Sequence, residues 1–218
     1  MCIRDRVELR VLAHIAQDEL LLESFLHGQD VHARTAAEVF GVPLNEVTGT
    51  MRTRAKAVNF GIVYGISDFG LAKQLDINRG EAGRYIENYL GRYTGVKKYM
   101  DDMVASAKKQ GYVQTLFGRR RYLPDINSRN FNLRGFAERT AINTPIQGTA
   151  ADIIKIAMVN VQKMLEQGGY KSRILLQVHD ELLLEVTEAE REKVGALVKQ
   201  TMESAVKLSV PLIADVNY

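Results

Sequence analysis

ILLQVHDELLLEV, Ile174–Val186, is the stretch whose reading decides the fold. It holds two short, β-prone apolar runs, ILLQV and ELLLEV, separated only by His179 and Asp180. Runs of this length with a two-residue break predict an antiparallel hairpin rather than a helix. Working backward, YVQTL (112–116), a turn at Phe117-Gly118 and RRRYLP (119–124) predict a second hairpin. Working forward, a helical pattern over Glu188–Val206 leads to PLIADVNY (211–218), whose alternation predicts a last strand. The rest is helical. Periodicity predicts helices over Glu8–Asp18, from an Asp30 cap to Phe40, Thr50–Tyr64, Asp68–Leu75, Arg79–Tyr93 and Val96–Gln110. Gly41 with Pro43, and Gly65, supply stops. Two further helices, Phe131–Asn143 and Gly148–Gln167, are expected on either side of Pro145. The class implied is α+β, an antiparallel sheet with a mainly helical lobe.

The 218 residues are enough for one sizeable domain or a domain with a lobe attached. A net charge of +3 permits nucleic-acid binding without announcing it. The single cysteine, Cys2, excludes an internal disulfide and a cysteine-based zinc site, and it fits a reducing intracellular compartment. No apolar run approaches a bilayer span, so no membrane partner is expected. MCIRDR lacks the apolar core of a signal peptide. The patterned sequence begins within six residues and stops in a strand-like run, as expected of a piece of a longer protein.

Three groups of residues carry candidate chemistry. Arg52, Lys56, Phe60 and Tyr64 are spaced by four and form one stripe on a helix. Two cations followed by two aromatics suit a nucleotide, with its anionic phosphates and flat base. Gly61 and Gly65 leave room beside the rings. Spacing alone favours the plainer outcome, a solvated cationic end and a buried aromatic end. Arg139, Asn143 and Gln147 form a second row of hydrogen-bond donors, suited to duplex minor-groove acceptors and phosphates or simply to solvent. Asp180 and Glu181, beside His179 at a hairpin tip, are either turn residues or ligands for a hard cation. No phosphate-loop glycine motif and no H-E-x-x-H zinc motif is present.

Five blocks together resemble DNA polymerase family A: VELRVLAH, RTRAKAVNFGIVYG, GRRRYLPDI, RTAINTPIQGTAADIIK and QVHDE. They stand in that family's order and spacing and cover about residues 7–218. The resemblance implies a palm over about 1–30 and 112–218 and fingers over about 31–111. It implies addition of deoxynucleotides to a DNA primer 3′-OH, using two Mg²⁺ ions, by a monomer acting on primer–template DNA and deoxynucleoside triphosphates in a bacterial, nucleoid-associated cytoplasm. It further implies that Arg52, Lys56 and His32 bind the triphosphate, with Lys56 also catalytic. Phe60 would lie at the sugar and base, and Tyr64 at the insertion site. Glu8 would exclude a ribose 2′-OH. Asp180 and Glu181 would serve the metal and catalysis. Arg139, Asn143, Gln147 and His179 would contact the primer–template end.

One departure matters. The family's first palm motif places an aspartate five residues before the glutamate, and here that position is Ile3. MCIRDR reads as a foreign junction, and Asp5 lies about two strand residues out of place. The chain alone is therefore expected to be inactive. A non-catalytic nucleic-acid-binding fragment and a single-subunit RNA polymerase are the alternatives. Glu8 argues against the RNA polymerase.

Overall fold

A computed structural model describes residues 7–218. The expectations for Ile3, Asp5 and the MCIRDR junction lie outside the described residues. Helix α1 (Val7–Ala16) is nearly all core, burying Val7, Leu9, Val11, Leu12 and Ala13. Its one buried cation, Arg10, donates to the Pro211 carbonyl at 2.6 Å and sits over the Phe25 ring. Gln17 (φ 47) breaks the chain, and α2 (Glu19–Leu26) starts at once. The sequence reading missed α2 because it took Asp18 as a helix end. Asp18 is instead the N-cap of α2, accepting from Leu21 N through Oδ1. Its Oδ2 accepts from Gly95 N and Val96 N, so one buried carboxylate serves two helix starts.

The helical lobe follows the sequence closely. It comprises α3 (Val31–Phe40), α4 (Gly49–Val63), α5 (Asp68–Leu75), α6 (Arg79–Arg92) and α7 (Thr94–Gln110). Side chains cap the first four of these: Asp30, Thr48, Ser67 and Asn78. The stacked rings of Tyr89 and Tyr93, 4.5 Å apart, fill its centre. Burial pushes the Tyr93 hydroxyl up to about 12.

Hairpin β1–β2 (Tyr112–Gln114, Arg120–Tyr122) leads into α8 (Phe131–Gln167). Here the structure corrects the expectation of two helices: α8 runs 37 residues through Pro145. Proline removes one N–H and crowds the carbonyl four residues back. Tertiary packing offsets that cost, because Pro145 and Ile146 are buried and Tyr99 of α7 ties the helix at this turn by donating to the Ile142 carbonyl at 2.7 Å.

Hairpin β3–β4 (Arg173–Val178, Glu181–Glu185) has Val178 opposite Glu181, leaving His179 and Asp180 as a two-residue loop. His179 takes the left-handed conformation (φ 50) that such a loop demands of its first residue. Leu175 is an extra residue in the ladder, a bulge. Helix α9 (Arg191–Glu203) follows a 3₁₀ turn and is shorter than expected. Of the predicted last strand only Asp215 is a β-bridge residue, and among the described residues the segment joins neither hairpin. Its alternation is real, since Val210, Leu212 and Ala214 are buried. However, side chains satisfy parts of its backbone: Arg10 takes the Pro211 carbonyl and Glu203 accepts from Ala214 N. Among the described residues the sheet structure is therefore two separate antiparallel hairpins, within an α+β fold.

Candidate active site

Four separate segments converge on one cleft of about 350 Å³. Helix α1 brings Val7 and Glu8, α4 brings Phe60 and Tyr64, α8 brings Gln147 with Ala150, Ala151 and Ile154, and the β3–β4 loop brings His179 and Asp180. The two aromatics of the stripe lie nearly parallel, 17° apart with centroids at 6.5 Å. The Tyr64 hydroxyl donates to Glu8 Oε2 at 3.1 Å. Burial raises the Glu8 carboxyl, the Tyr64 hydrogen bond opposes the rise, and the Asp180 charge adds to it. Tyr64 is raised by its own burial and by the facing Glu8. Anionic groups thus share this end of the cleft at a cost that a cation would relieve.

The end of α4 is fixed against α8. Asn143 Nδ2 donates to the Tyr64 carbonyl at 3.2 Å. Gly65 (φ 65) packs on Arg139, where an added Cβ would come within 3.0 Å of that side chain. Continuity of α8 through Pro145 keeps Arg139, Asn143 and Gln147 in one row. Arg139 lines a neighbouring hollow with Phe60, Tyr64, Gly65 and Gln74.

The cationic end of the stripe lies away from the cleft. Lys56 is exposed. Arg52 is half-buried and donates to Asp30 Oδ2 through Nε at 2.8 Å and NH2 at 2.7 Å. His32 is buried beside the Phe60 ring, and its Nδ1 accepts from Asn59 Nδ2 at 3.0 Å. An amide NH₂ can only donate, so the neutral ring carries its proton on Nε2. Thr35 and Tyr93 complete this buried network.

Asp180 faces the cleft, whereas its neighbour Glu181 opens β4 and is exposed. No group of three or more potential metal ligands occurs among the described residues. One cleft-facing carboxylate still fits Mg²⁺, which needs only one or two, with water and phosphate oxygens completing the shell.

Sequence reasoning missed Asn59, the pairing role of Asp30, and the small residues Ala150 and Ala151 that floor the cleft. A buried asparagine within an apolar helix face was the available signal for Asn59.

A single α+β chain that gathers these motifs into one cleft matches DNA polymerase family A across residues 5–218, and it belongs to that family. It is 61% identical to DNA polymerase I of Streptococcus pneumoniae serotype 4 over 213 residues, covering 97% of this chain and 24% of that protein. It is 58% identical to DNA polymerase I of Geobacillus stearothermophilus, covering 98% and 24%, and 57% identical to that of Bacillus subtilis, covering 96% and 24%. The chain thus spans about a quarter of the length of these relatives. In structure it is similar to the POL domain of Pol1 from M. smegmatis in complex with DNA primer–template and dNTP. The TM-score is 0.91 at 48% identity, covering 95% of this chain and 37% of that one. No helix among the described residues is long and apolar enough to cross a membrane.

Proposed function

We propose that this chain forms the palm and fingers of a DNA-directed DNA polymerase, with fingers over about 31–111 and palm over about 1–30 and 112–218. The observation that carries the reading is the cleft uniting Glu8, Phe60, Tyr64, Gln147, His179 and Asp180 from four distant segments. A deoxynucleoside triphosphate would place its base and sugar against Phe60 and Tyr64. Its phosphates would run along α4 toward Lys56 and Arg52, with His32 behind Phe60. Glu8 would stand where a ribose 2′-OH would come. Arg139, Asn143, Gln147 and His179 would hold the primer–template end. Asp180, supported by Glu181, would hold Mg²⁺, which supplies activation of the primer 3′-oxygen and charge neutralisation at the phosphates. Positioning and electrostatics dominate such phosphoryl transfers. Monomeric action in a bacterial cytoplasm, at the nucleoid, completes the proposal.

Ile3 favours a second reading, that these 218 residues bind nucleic acid without extending it. A single-nucleotide primer-extension assay with Mg²⁺ separates the two. The expected result is little or no extension by the chain as it stands. Activity should return when aspartate replaces Ile3 in a polymerase that also carries the upstream palm and thumb. Comparable rates from the two proteins would show that residue 3 has no metal-binding part.

A further inference from the structure

We infer that Asp30 is a positioning residue for nucleotide binding, setting the plane of the Arg52 guanidinium that receives the triphosphate. The inference rests on the proposed nucleotide-binding role of Arg52. Asp30 divides its two oxygens between two tasks. Oδ1 accepts from His32 N at 2.9 Å and Ala33 N at 3.2 Å, capping α3. Oδ2 accepts both Nε and NH2 of Arg52. The guanidinium is a rigid plane with five N–H donors, so two bonds to one fixed oxygen determine where the others point. Arg52 stands in the first turn of α4, where its own backbone N–H is bonded to the Thr48 carbonyl. The long side chain would otherwise be free to rotate, since it is 42% exposed. Asp30 therefore orders it before a ligand arrives. The same carboxylate ties the start of α3, which carries His32, to the start of α4, which carries Arg52 and Lys56. Three groups proposed to meet the phosphates are thus referred to one fixed point.

The two tasks can be separated by substitution. Asparagine caps a helix about as well as aspartate, so Asp30→Asn keeps the cap and removes the charged acceptor, whereas Asp30→Ala removes both. The measurement is equilibrium binding of dGTP with Mg²⁺ to the 218-residue chain, followed by titration calorimetry. Duplex DNA binding and thermal midpoint are measured on the same proteins. Asp30→Asn is expected to weaken dGTP binding roughly 2- to 10-fold, the scale of ordering one long side chain on binding. Duplex affinity and thermal midpoint should stay close to those of the unsubstituted chain. Arg52→Ala should weaken dGTP binding further, and Asp30→Asn should add nothing in that background, because it acts through Arg52. Unchanged or tighter dGTP binding by Asp30→Asn overturns the inference, the tighter case marking Asp30 as a competitor for Arg52. An equal effect of Asp30→Asn with and without Arg52 also overturns it. If Arg52→Ala leaves dGTP binding unchanged, or the unsubstituted chain binds none, the proposed nucleotide face is wrong and the inference falls with it.

Discussion

Phe60 and Glu8 lie 52 positions apart in sequence, yet Tyr64 connects them: its ring stacks on Phe60 and its hydroxyl holds Glu8. If this corner holds the sugar of a bound nucleotide, the two residues face neighbouring atoms of it. In an active polymerase carrying these residues, Phe60→Tyr should admit dideoxynucleotides about tenfold more readily relative to deoxynucleotides. That is the scale of one hydrogen bond gained near a missing 3′-OH. Deoxynucleotide incorporation should hardly change, because the ring is kept. Glu8→Ala should instead relax rejection of ribonucleotides by removing bulk at the 2′ position. Incorporation of all three nucleotide types by both variants is the check. An unaltered dideoxy-to-deoxy ratio in Phe60→Tyr would detach the stripe from nucleotide binding.

Helix starts are the elements most clearly written in the sequence. Asp30, Thr48, Ser67, Asn78 and Asn130 each precede a helix and cap it. Asp18 shows where that legibility ends. Its cap on α2 is local, but its bonds to Gly95 and Val96 cross 77 and 78 positions, and no periodicity reports them. Gly95 is part of the same joint, because a Cβ there would meet the Ala16 carbonyl and Asp18 Cα at 2.9 Å. Asp18→Ala should lower stability by about 2–4 kcal/mol, more than the roughly 1 kcal/mol of an ordinary cap. Urea denaturation measures the loss, and a value near that of a single exposed cap would mean the bonds to α7 contribute nothing.

Among the described residues the larger of two apolar clusters runs from Leu9 of α1 through Leu71 of α5 to Leu182 of β4 and Met202 of α9, and the smaller joins α7, the β1–β2 hairpin and α8. The proposed fingers and palm are thus packed around shared side chains. Leu71→Ala and Leu182→Ala, one in each proposed lobe, should each cost about 2–5 kcal/mol. Each should move a single cooperative transition, followed by circular dichroism and by tyrosine fluorescence. Two transitions, each responding to only one of the substitutions, would show that the lobes unfold independently.

The sequence by itself determined the class, the helical lobe from α3 to α7, both hairpins and the membership of the stripe and the donor row. These follow from local periodicity, caps and turns. The tertiary structure alone decided three other matters. Residues 131–167 form one helix, because Pro145 is buried in tertiary packing and Tyr99 of α7 ties the same turn through the Ile142 carbonyl. Val210, Leu212 and Ala214 alternate as a strand would, yet among the described residues they join neither hairpin, and Arg10 and Glu203 take up backbone groups of this segment. Asp180 comes to face Glu8 because α1 packs on α8 beside the β3–β4 loop, and Asp30 comes to hold Arg52 because α3 packs directly on α4. Such contacts depend on what lies across the core, and no spacing along the chain encodes that.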